Sequence, residues 1–411
     1  MEQNNPPVLF EDARECCGCG SCAAACPKGA IELKEDEFGF LFPSIDSRLC
    51  IQCGICKRVC GFQNLRPEPS SGPFLAAASQ SEKIVQSASG GVFGALSRGV
   101  ISQGGIVVGC GVTRADRLRV EHKVAFDRSA LNGMYGSRYV QSQTNRLFAE
   151  IRLILVEGKE VLFSGTPCQV AGLKGYLGKD YENLLTVDLV CHGVPNMAML
   201  DGYLDRLEVR EGSRVVDLGF RTKRDGWRHS LLLRVNFENG SKRYIKSFDS
   251  SYYDCFLHLF TLRDSCYSCP FAGRLRPADI SIGDFWGVEQ LRPDLLTGAG
   301  GRLDVNRGIS CVLVNSDKGL KWLHRFGGEL VTERVAFEDI SKMNDQLRHP
   351  SICPKERADY LDAYVKDGWD GIERIWKHDT RGEHAKRIIK SFVPKSVKHC
   401  IKSLVSRADD E

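Results

Sequence analysis

The sequence predicts an α+β chain with an α/β core: a small cysteine-rich N-terminal module, a larger core on a mixed sheet, and a basic helical C-terminal tail. Three observations carry this expectation. Two cysteine runs of identical spacing lie between residues 16 and 60, a strand–helix–strand pattern spans residues 161–190, and beyond about residue 376 the chain turns basic and amphipathic.

The first run reads Cys16, Cys19, Cys22, Cys26 and then Pro27, as C-x2-C-x2-C-x3-C-P. The second repeats the spacing with Cys50, Cys53, Cys56 and Cys60, and has Gly61 where the first has Pro27. In bacterial two-cluster ferredoxins, three thiolates of such a run hold one 4Fe-4S cubane and the fourth crosses to the other. The expected ligand sets are therefore Cys16, Cys19, Cys22 and Cys60 for one cluster, and Cys50, Cys53, Cys56 and Cys26 for the second. Structural zinc takes two separated cysteine pairs, a pattern that four cysteines within eleven residues do not match. Cys17 stands outside the pattern, as a spare thiol or an alternative ligand. Between the runs, Ile31–Leu33 and Phe40–Phe42 flank a polar turn and read as a hairpin. Residues 1–66 thus form a ferredoxin-like module with little apolar core, for which the clusters act as staples. The Pro- and Ser-rich stretch from Arg66 to Pro73 reads as a linker.

Composition narrows the function classes. With 56 basic and 52 acidic residues and a net charge of +4, the chain lacks the charge bias of a nucleic-acid binder. It has no run of about 18 apolar residues that would span a membrane. Met1–Pro7 carries neither the basic nor the apolar region of a secretory signal. The eighteen cysteines of so long a chain read as metal ligands in a reducing cytoplasm rather than a disulfide scaffold.

A second unit is expected over residues 74–195. Ser87–Gly91 leads into the helical spacing of Val92–Ser97, a plain N-cap or a helix start with backbone N–H groups open to phosphate. Ile106–Val112 and Val120–Phe126 read as antiparallel strands, and Tyr135–Tyr139 as a mixed glycine, basic and aromatic loop. Then come a helix over 147–155, a buried strand at Val161–Phe163, a helix over 169–177 and a strand over 184–190. Strand, helix and strand make the two strands parallel neighbours. Cys168 and Cys191 follow their carboxyl ends, where α/β sheets place their sites.

A third unit is expected over 196–360. Phe220–Trp227 is a basic loop, and Asn239-Gly240 turns a hairpin. Cys266 and Cys269 form a lone CxxC. Together with Cys168 and Cys191 they supply four thiolates, for a third 4Fe-4S cluster or for zinc. Ala278–Gly287 is an alternating strand that enters a turn bearing Asp284, Phe285 and Trp286, whose rings belong to a core or stack on a flat cofactor. A polar loop, Asp304–Ser310, precedes the strand Cys311–Val314. The tail, 361–411, carries Lys386, Arg387, Lys390, Lys395, Lys398 and Lys402 among apolar residues, suiting a solvated helix or peripheral contact with an anionic membrane surface.

Ser89-Gly90-Gly91, Gly136–Tyr139, Gly165–Gln169, Cys191, the Cys266/Cys269 pair and Ala278–Gly287 together resemble the beta-subunit family of deazaflavin-coenzyme hydrogenases and dehydrogenases, over roughly residues 14–315. The resemblance implies an FAD-binding α/β core beside a 4Fe-4S centre. It makes Ser89, Gly90, Gly91, Ser137, Arg138, Tyr139, Thr166, Asp284, Phe285 and Trp286 flavin contacts, and favours iron over zinc at the third site. Relatives reduce a deazaflavin or chlorophyll precursors. The His192-Gly193 pair and the Arg221–Trp227 loop are most similar to a branch found among bacterial surface-polysaccharide genes.

The expected function is a flavin-dependent reductase that takes electrons from reduced ferredoxin, or from a deazaflavin, through the clusters to FAD and on to a small organic substrate. No GxGxxG follows a strand, so an NAD(P)H site is not supported. His192 is the candidate proton donor or a hydrogen-bond partner of a cofactor. Arg221 and Lys223 are candidates for holding an anionic substrate, or members of a solvated turn. The alternative is an electron-transfer subunit that performs no chemistry and docks on a catalytic partner.

Overall fold

The computed structural model describes residues 5–114 and 116–392, with side chains to residue 382. The amphipathic pattern expected from Lys386 to Lys402 therefore lies outside the described side chains.

In the N-terminal module each cysteine run begins in a loop and ends in a one-turn helix. Helix α1 (Ser21–Ala24) follows the first loop, strands β1 (Ile31–Glu35) and β2 (Leu41–Ile45) pair antiparallel, and helices α2 (Ile55–Arg58) and α3 (Gly61–Asn64) follow the second. The two loops repeat one backbone device. Gly18 and Gln52, each just before a ligand-position cysteine, and Gly20 and Gly54, each just after it, all have φ between 54 and 75°. That left-handed geometry turns successive thiols toward one centre, and the non-glycine Gln52 adopts it too.

The core continues with β3 (Phe74–Ser79), α4 (Val92–Ser102), β4 (Ile106–Arg114), β5 (Leu118–Ala125), α5 (Phe148–Val156), β6 (Val161–Gly165), α6 (Pro167–Leu177), β7 (Leu184–Leu189) and α7 (Met197–Glu211). Next come β8 (Val215–Gly219), β9 (Leu232–Phe237), β10 (Lys242–Lys246), α8 (Ser251–Leu257), β11 (Ile280–Asp284), α9 (Val288–Leu291), β12 (Ser310–Val314), α10 (Asp317–Phe326), β13 (Leu330–Val335), α11 (Phe337–Ser341) and α12 (Arg357–Phe392). Helix α12 breaks at Asp367 and Gly368, where φ and ψ leave the helical region.

One eight-stranded mixed sheet organises the core, in the order β13-β3-β12-β11-β7-β6-β4-β5. Its centre, β11-β7-β6-β4, is parallel, and its flanks are antiparallel. The central strands are covered on both faces, so even their polar residues are inside: every residue of β6 is buried, and so is all of β7 but Leu189. Helices α4 and α10 pack on one face and α5 and α6 on the other. A second, three-stranded sheet, β10-β9-β8, joins α7, α8 and α12 around Phe220, Tyr252, Tyr253, Trp369 and Trp376. The large sheet takes strands from both sides of residue 195, so the segments 74–195 and 196–360 share it.

Two features of this sheet depart from the sequence reading. Strands β3 and β13, with no strand expected at either, pair with one another and, through β3, with β12. Helix α6 starts two residues early: Thr166 and Gln169 form a capping box and Pro167 fills the first turn. Cys168 therefore follows the carboxyl end of β6, as expected, but inside the first turn of α6.

Candidate functional site

The two cysteine sets of the module line separate small cavities. Cys26, Cys50, Cys53 and Cys56 line one. Cys16, Cys19, Cys22 and Cys60 line the other, with Cys17 and Cys56 at its border. The fourth cysteine of each run thus stands with the first three of the other run. Burial pushes the Cys60 thiol up to about 11, and burial with the neighbouring thiolates also raises Cys16 and Cys22. Neutral thiols of this kind give up protons when metal binds.

The third set also converges. Cys168 sits in the first turn of α6, Cys191 two residues past β7, and Cys266 and Cys269 in and just after the short helical turn Asp264–Ser268. Burial and the neighbouring thiols push Cys191 up to about 12 and Cys269 up to about 11. Gly193, at φ +133°, admits Cys266: a Cβ there would stand 3.1 Å from its sulfur. Cys17, fully buried, lies between the sets, within hydrogen-bonding reach of both Cys19 and Cys168, and lowers both thiols. Among the described residues, no three His, Cys, Asp or Glu side chains are grouped tightly enough to share one metal ion.

Beside the third set opens a cavity of about 420 Å³. Ser89, Gly91, Ser137, Arg138, Tyr139, Thr166, Asp284, Trp286, Cys191, His192 and Arg221 all line it. Three residues expected there do not. Gly90 is pressed between β3 and β12, where a Cβ would meet the Ala77 carbonyl at 2.1 Å. Phe285 is wholly buried in the core beside Trp227 and Ile309. Lys223 turns its ammonium onto the carbonyl oxygens of Ile84, Ser89 and Arg307, tying three loops together, and burial lowers it to about 7. A lysine so engaged is not available to an anionic substrate.

Arg221 is likewise internal. It donates to both carboxylate oxygens of Asp284 at 2.9 and 3.2 Å and to Ser230, and lies 5.2 Å from the Trp286 ring centre. Burial opposes its charge, but Asp284 outweighs burial and the guanidinium is held more firmly protonated than usual. Trp227 stacks on Trp286 with centroids 5.2 Å apart and donates its Nε1–H to Asp284. The expected anion-binding loop is a rigid wall.

Two features of the cavity leave positive potential unspent. Helix α4 begins at Gly91 in the left-handed conformation, with no side-chain cap on its first N–H groups. Arg138 donates only to the carbonyls of Ser137 and Gly133, and its buried Nε has no partner. Among the described residues no carboxylate pairs with it, and burial lowers its pKa. His192 lines the same cavity as an exposed residue, with Asp284 and Asp345 near enough to favour its charged form. Tyr139 stacks on Phe256 at 4.4 Å between centroids.

A buried polar network beneath this cavity was not legible. His122 donates Nε2–H to the Ser164 carbonyl at 2.8 Å, and its Nδ1 accepts from Ser142 at 2.9 Å. Burial pushes it down to about 4, so it is neutral. Gln169 donates to Ser142 and accepts from the Thr166 N–H, while the Thr166 hydroxyl lies 3.1 Å from the Cys168 sulfur. The network fixes the first turn of α6, and with it Cys168. Only its Gln169 end carried a sequence signal, the capping box.

Comparison with known proteins agrees with this architecture. Residues 158–339 match the family described as the C terminus of the coenzyme F420 hydrogenase/dehydrogenase beta subunit, and residues 15–69 match the 4Fe-4S dicluster domain. A ferredoxin-like protein in the nif region of Rhizobium leguminosarum bv. trifolii is 34% identical over 58 residues, 13% of this chain and 83% of that protein. A chain of the xenon-derivatised F420-reducing NiFe hydrogenase complex from Methanosarcina barkeri is similar at a TM-score of 0.42 and 17% identity, over 75% of this chain and 91% of that one, a likeness too low to carry a functional argument. Among the described residues no helix is long and apolar enough to cross a membrane. The chain thus joins a 4Fe-4S dicluster domain to a domain of the family described as the C terminus of the coenzyme F420 hydrogenase/dehydrogenase beta subunit.

Proposed function

We propose that this protein is a flavin-dependent oxidoreductase that takes electrons from a reduced one-electron carrier of the ferredoxin type, or from a deazaflavin, and passes them to a small organic substrate. The carrying observation is the pairing of an uncapped α4 N-terminus with Arg138, which has no paired carboxylate among the described residues, in one cavity that Cys191 also lines. Both features attract the phosphates of a dinucleotide such as FAD, and helix N-termini bind phosphate through free N–H groups. A flavin supplies the exchange between one-electron and two-electron chemistry.

The residues divide the work. Ser89, Gly91, Ser137 and Arg138 would hold the phosphates. Trp286, braced by Trp227 and Arg221, offers a flat wall, and Asp284 is neutralised by Arg221, so no loose negative charge opposes an anionic ligand. Phe256 and Leu257 add apolar surface to the same cavity. His192, which lines the cavity, would donate an N–H to a reacting atom. Cys168, Cys191, Cys266 and Cys269 would ligate a third 4Fe-4S cluster. The contacts of Cys17 with both Cys19 and Cys168 support a path from the Cys16 set through this set toward the cavity.

Anaerobic purification with quantification of iron, acid-labile sulfide, zinc and released flavin tests the reading. About twelve irons and one FAD per chain are expected, with negligible zinc. Iron without flavin after reconstitution would overturn the reductase and leave an electron-transfer subunit. About eight irons with one zinc would remove the third cluster.

A further inference from the structure

Three residues before Cys266, Arg263 leaves the core and enters the ferredoxin-like module. Its Nε–H donates to the Cys16 carbonyl at 2.8 Å and one Nη2–H to the Leu41 carbonyl at 2.8 Å, and Nη2 lies 4.0 Å from the Cys16 sulfur. The guanidinium stacks 4.1 Å from the Phe42 ring centre. Nη1 sits over bare Gly18, where a Cβ would stand 2.9 Å away, and has no hydrogen-bond partner. The whole residue is 1% exposed. Among the described residues no carboxylate pairs with it. An uncompensated buried charge costs several kcal/mol, and the anion at hand is the thiolate set of the loop Arg263 enters. Its charge favours the thiolates of Cys16 and Cys19 in the module, and of Cys168 in the third set.

We propose that Arg263 is a positioning residue that raises the reduction potential of the cluster held by Cys16, Cys19, Cys22 and Cys60 above that of the cluster held by Cys26, Cys50, Cys53 and Cys56. The inference rests on the ligand assignment above and goes beyond it. A reduced 4Fe-4S centre carries one more negative charge than an oxidised one, the electron coming from the external one-electron carrier. A fixed cation beside one centre therefore stabilises its reduced form, and charge and hydrogen bonding near the sulfurs are what set such potentials. The Cys26 set has no buried equivalent among the described residues: Lys28, on the wall of its cavity, is exposed to solvent, and Arg58 reaches only the Cys53 carbonyl from an exposed position. An electron entering at the exposed Cys53 side then runs downhill toward the core.

The test is an EPR-monitored redox titration of the full chain, with Cys60→Ser used to identify the signal of the Cys16 set. In wild type the Cys16-set centre should titrate at the higher potential. In Arg263→Gln, with iron content unchanged, its equilibrium with the other centre should shift toward oxidation by about tenfold, or about 59 mV for a one-electron couple. Arg263→Lys, which keeps the charge but not the planar fork, should retain most of the wild-type value. An unshifted potential in iron-replete Arg263→Gln, or an equal shift in Arg263→Lys, would overturn the role of the charge. Should Arg263→Gln fail to hold iron, the wild-type ordering decides: a Cys16-set centre at the lower potential overturns the proposal. Fewer than about eight irons in wild type would instead remove the ligand assignment and the proposal with it.

Discussion

A Cβ placed on Gly61 would stand 1.8 Å from the carbonyl oxygen of Ala171, so the backbone that follows Cys60 rests directly on helix α6. The seam continues on both sides: a Cβ on Gly172 would meet the Cys19 sulfur at 2.9 Å, and one on Gly175 the Val59 carbonyl at 2.3 Å. Three glycines thus remove side chains where the ferredoxin-like module lies against the helix that carries Cys168. Close approach of the two thiol sets depends on this bare contact.

Gly61→Ala should therefore destabilise the chain by about 1–3 kcal/mol, the usual cost of overpacking, although alanine is the better helix former. Both neighbours at the seam are backbone, so neither can swing aside. Thermal or guanidinium melting under anaerobic conditions measures it, with Gly298→Ala as the control, since a Cβ there meets nothing within 4 Å. Equal melting of the two variants would show that the module is not held through this seam.

His122 makes stability depend on pH. Its pKa is held down at about 4 against an ordinary value of 6.5, so between those values the unfolded chain binds the proton and the folded chain does not. Stability from this group is full above about pH 6.5 and is lost as the pH falls toward 4. Lowering the pH from 7.5 to 5.5 should cost about 1 kcal/mol through this residue. Urea melts of wild type and His122→Gln at the two pH values measure it. A loss undiminished in the variant would assign the effect to other groups.

Much of this architecture could be read in advance because its signals are local. Fixed spacing marks the cysteine runs, and β6 and β7 are short apolar runs separated by a helical pattern. Strands β3 and β13 carry no such mark: half of Phe74–Ser79 is alanine, a residue without strand preference, and the segment becomes a strand only between β12 and β13. The basic loop misled for a related reason. Arg221 finds Asp284 and Lys223 finds the Ile84 carbonyl, partners 63 and 139 residues away, and composition cannot distinguish such cations from solvated ones. Phe285 and Trp286 look alike as an aromatic pair, yet the turn that follows β11 buries the first in the core and leaves the second on the cavity wall.

Arg138→Gln separates binding from folding. Wild type carries a half-buried guanidinium with its Nε unpartnered and no carboxylate on it among the described residues, a cost to the flavin-free chain that an anionic ligand offsets. The variant should melt no lower than wild type without flavin, while FAD binding weakens by about 1.5–3 kcal/mol, roughly tenfold to a hundredfold in Kd. Quenching of FAD fluorescence on titration with reconstituted protein reads the affinity. Undiminished affinity would place the phosphates elsewhere.

The third thiol set is tested by comparing two buried cysteines that differ in assigned role. Cys266 converges with Cys191, Cys168 and Cys269, whereas Cys17 lies between two sets and completes neither. Cys266→Ser should lower the iron content from about twelve to about eight per chain, with an equal loss of sulfide and retention of the two dicluster signals. Cys17→Ser should keep about twelve, because a serine hydroxyl can still donate toward Cys19 or Cys168. If both variants kept their iron, the set would not be a cluster site. If Cys17→Ser alone lost iron, Cys17 would be the ligand, and the contact between Cys19 and Cys168 would pass through a metal-bound sulfur instead of a thiol.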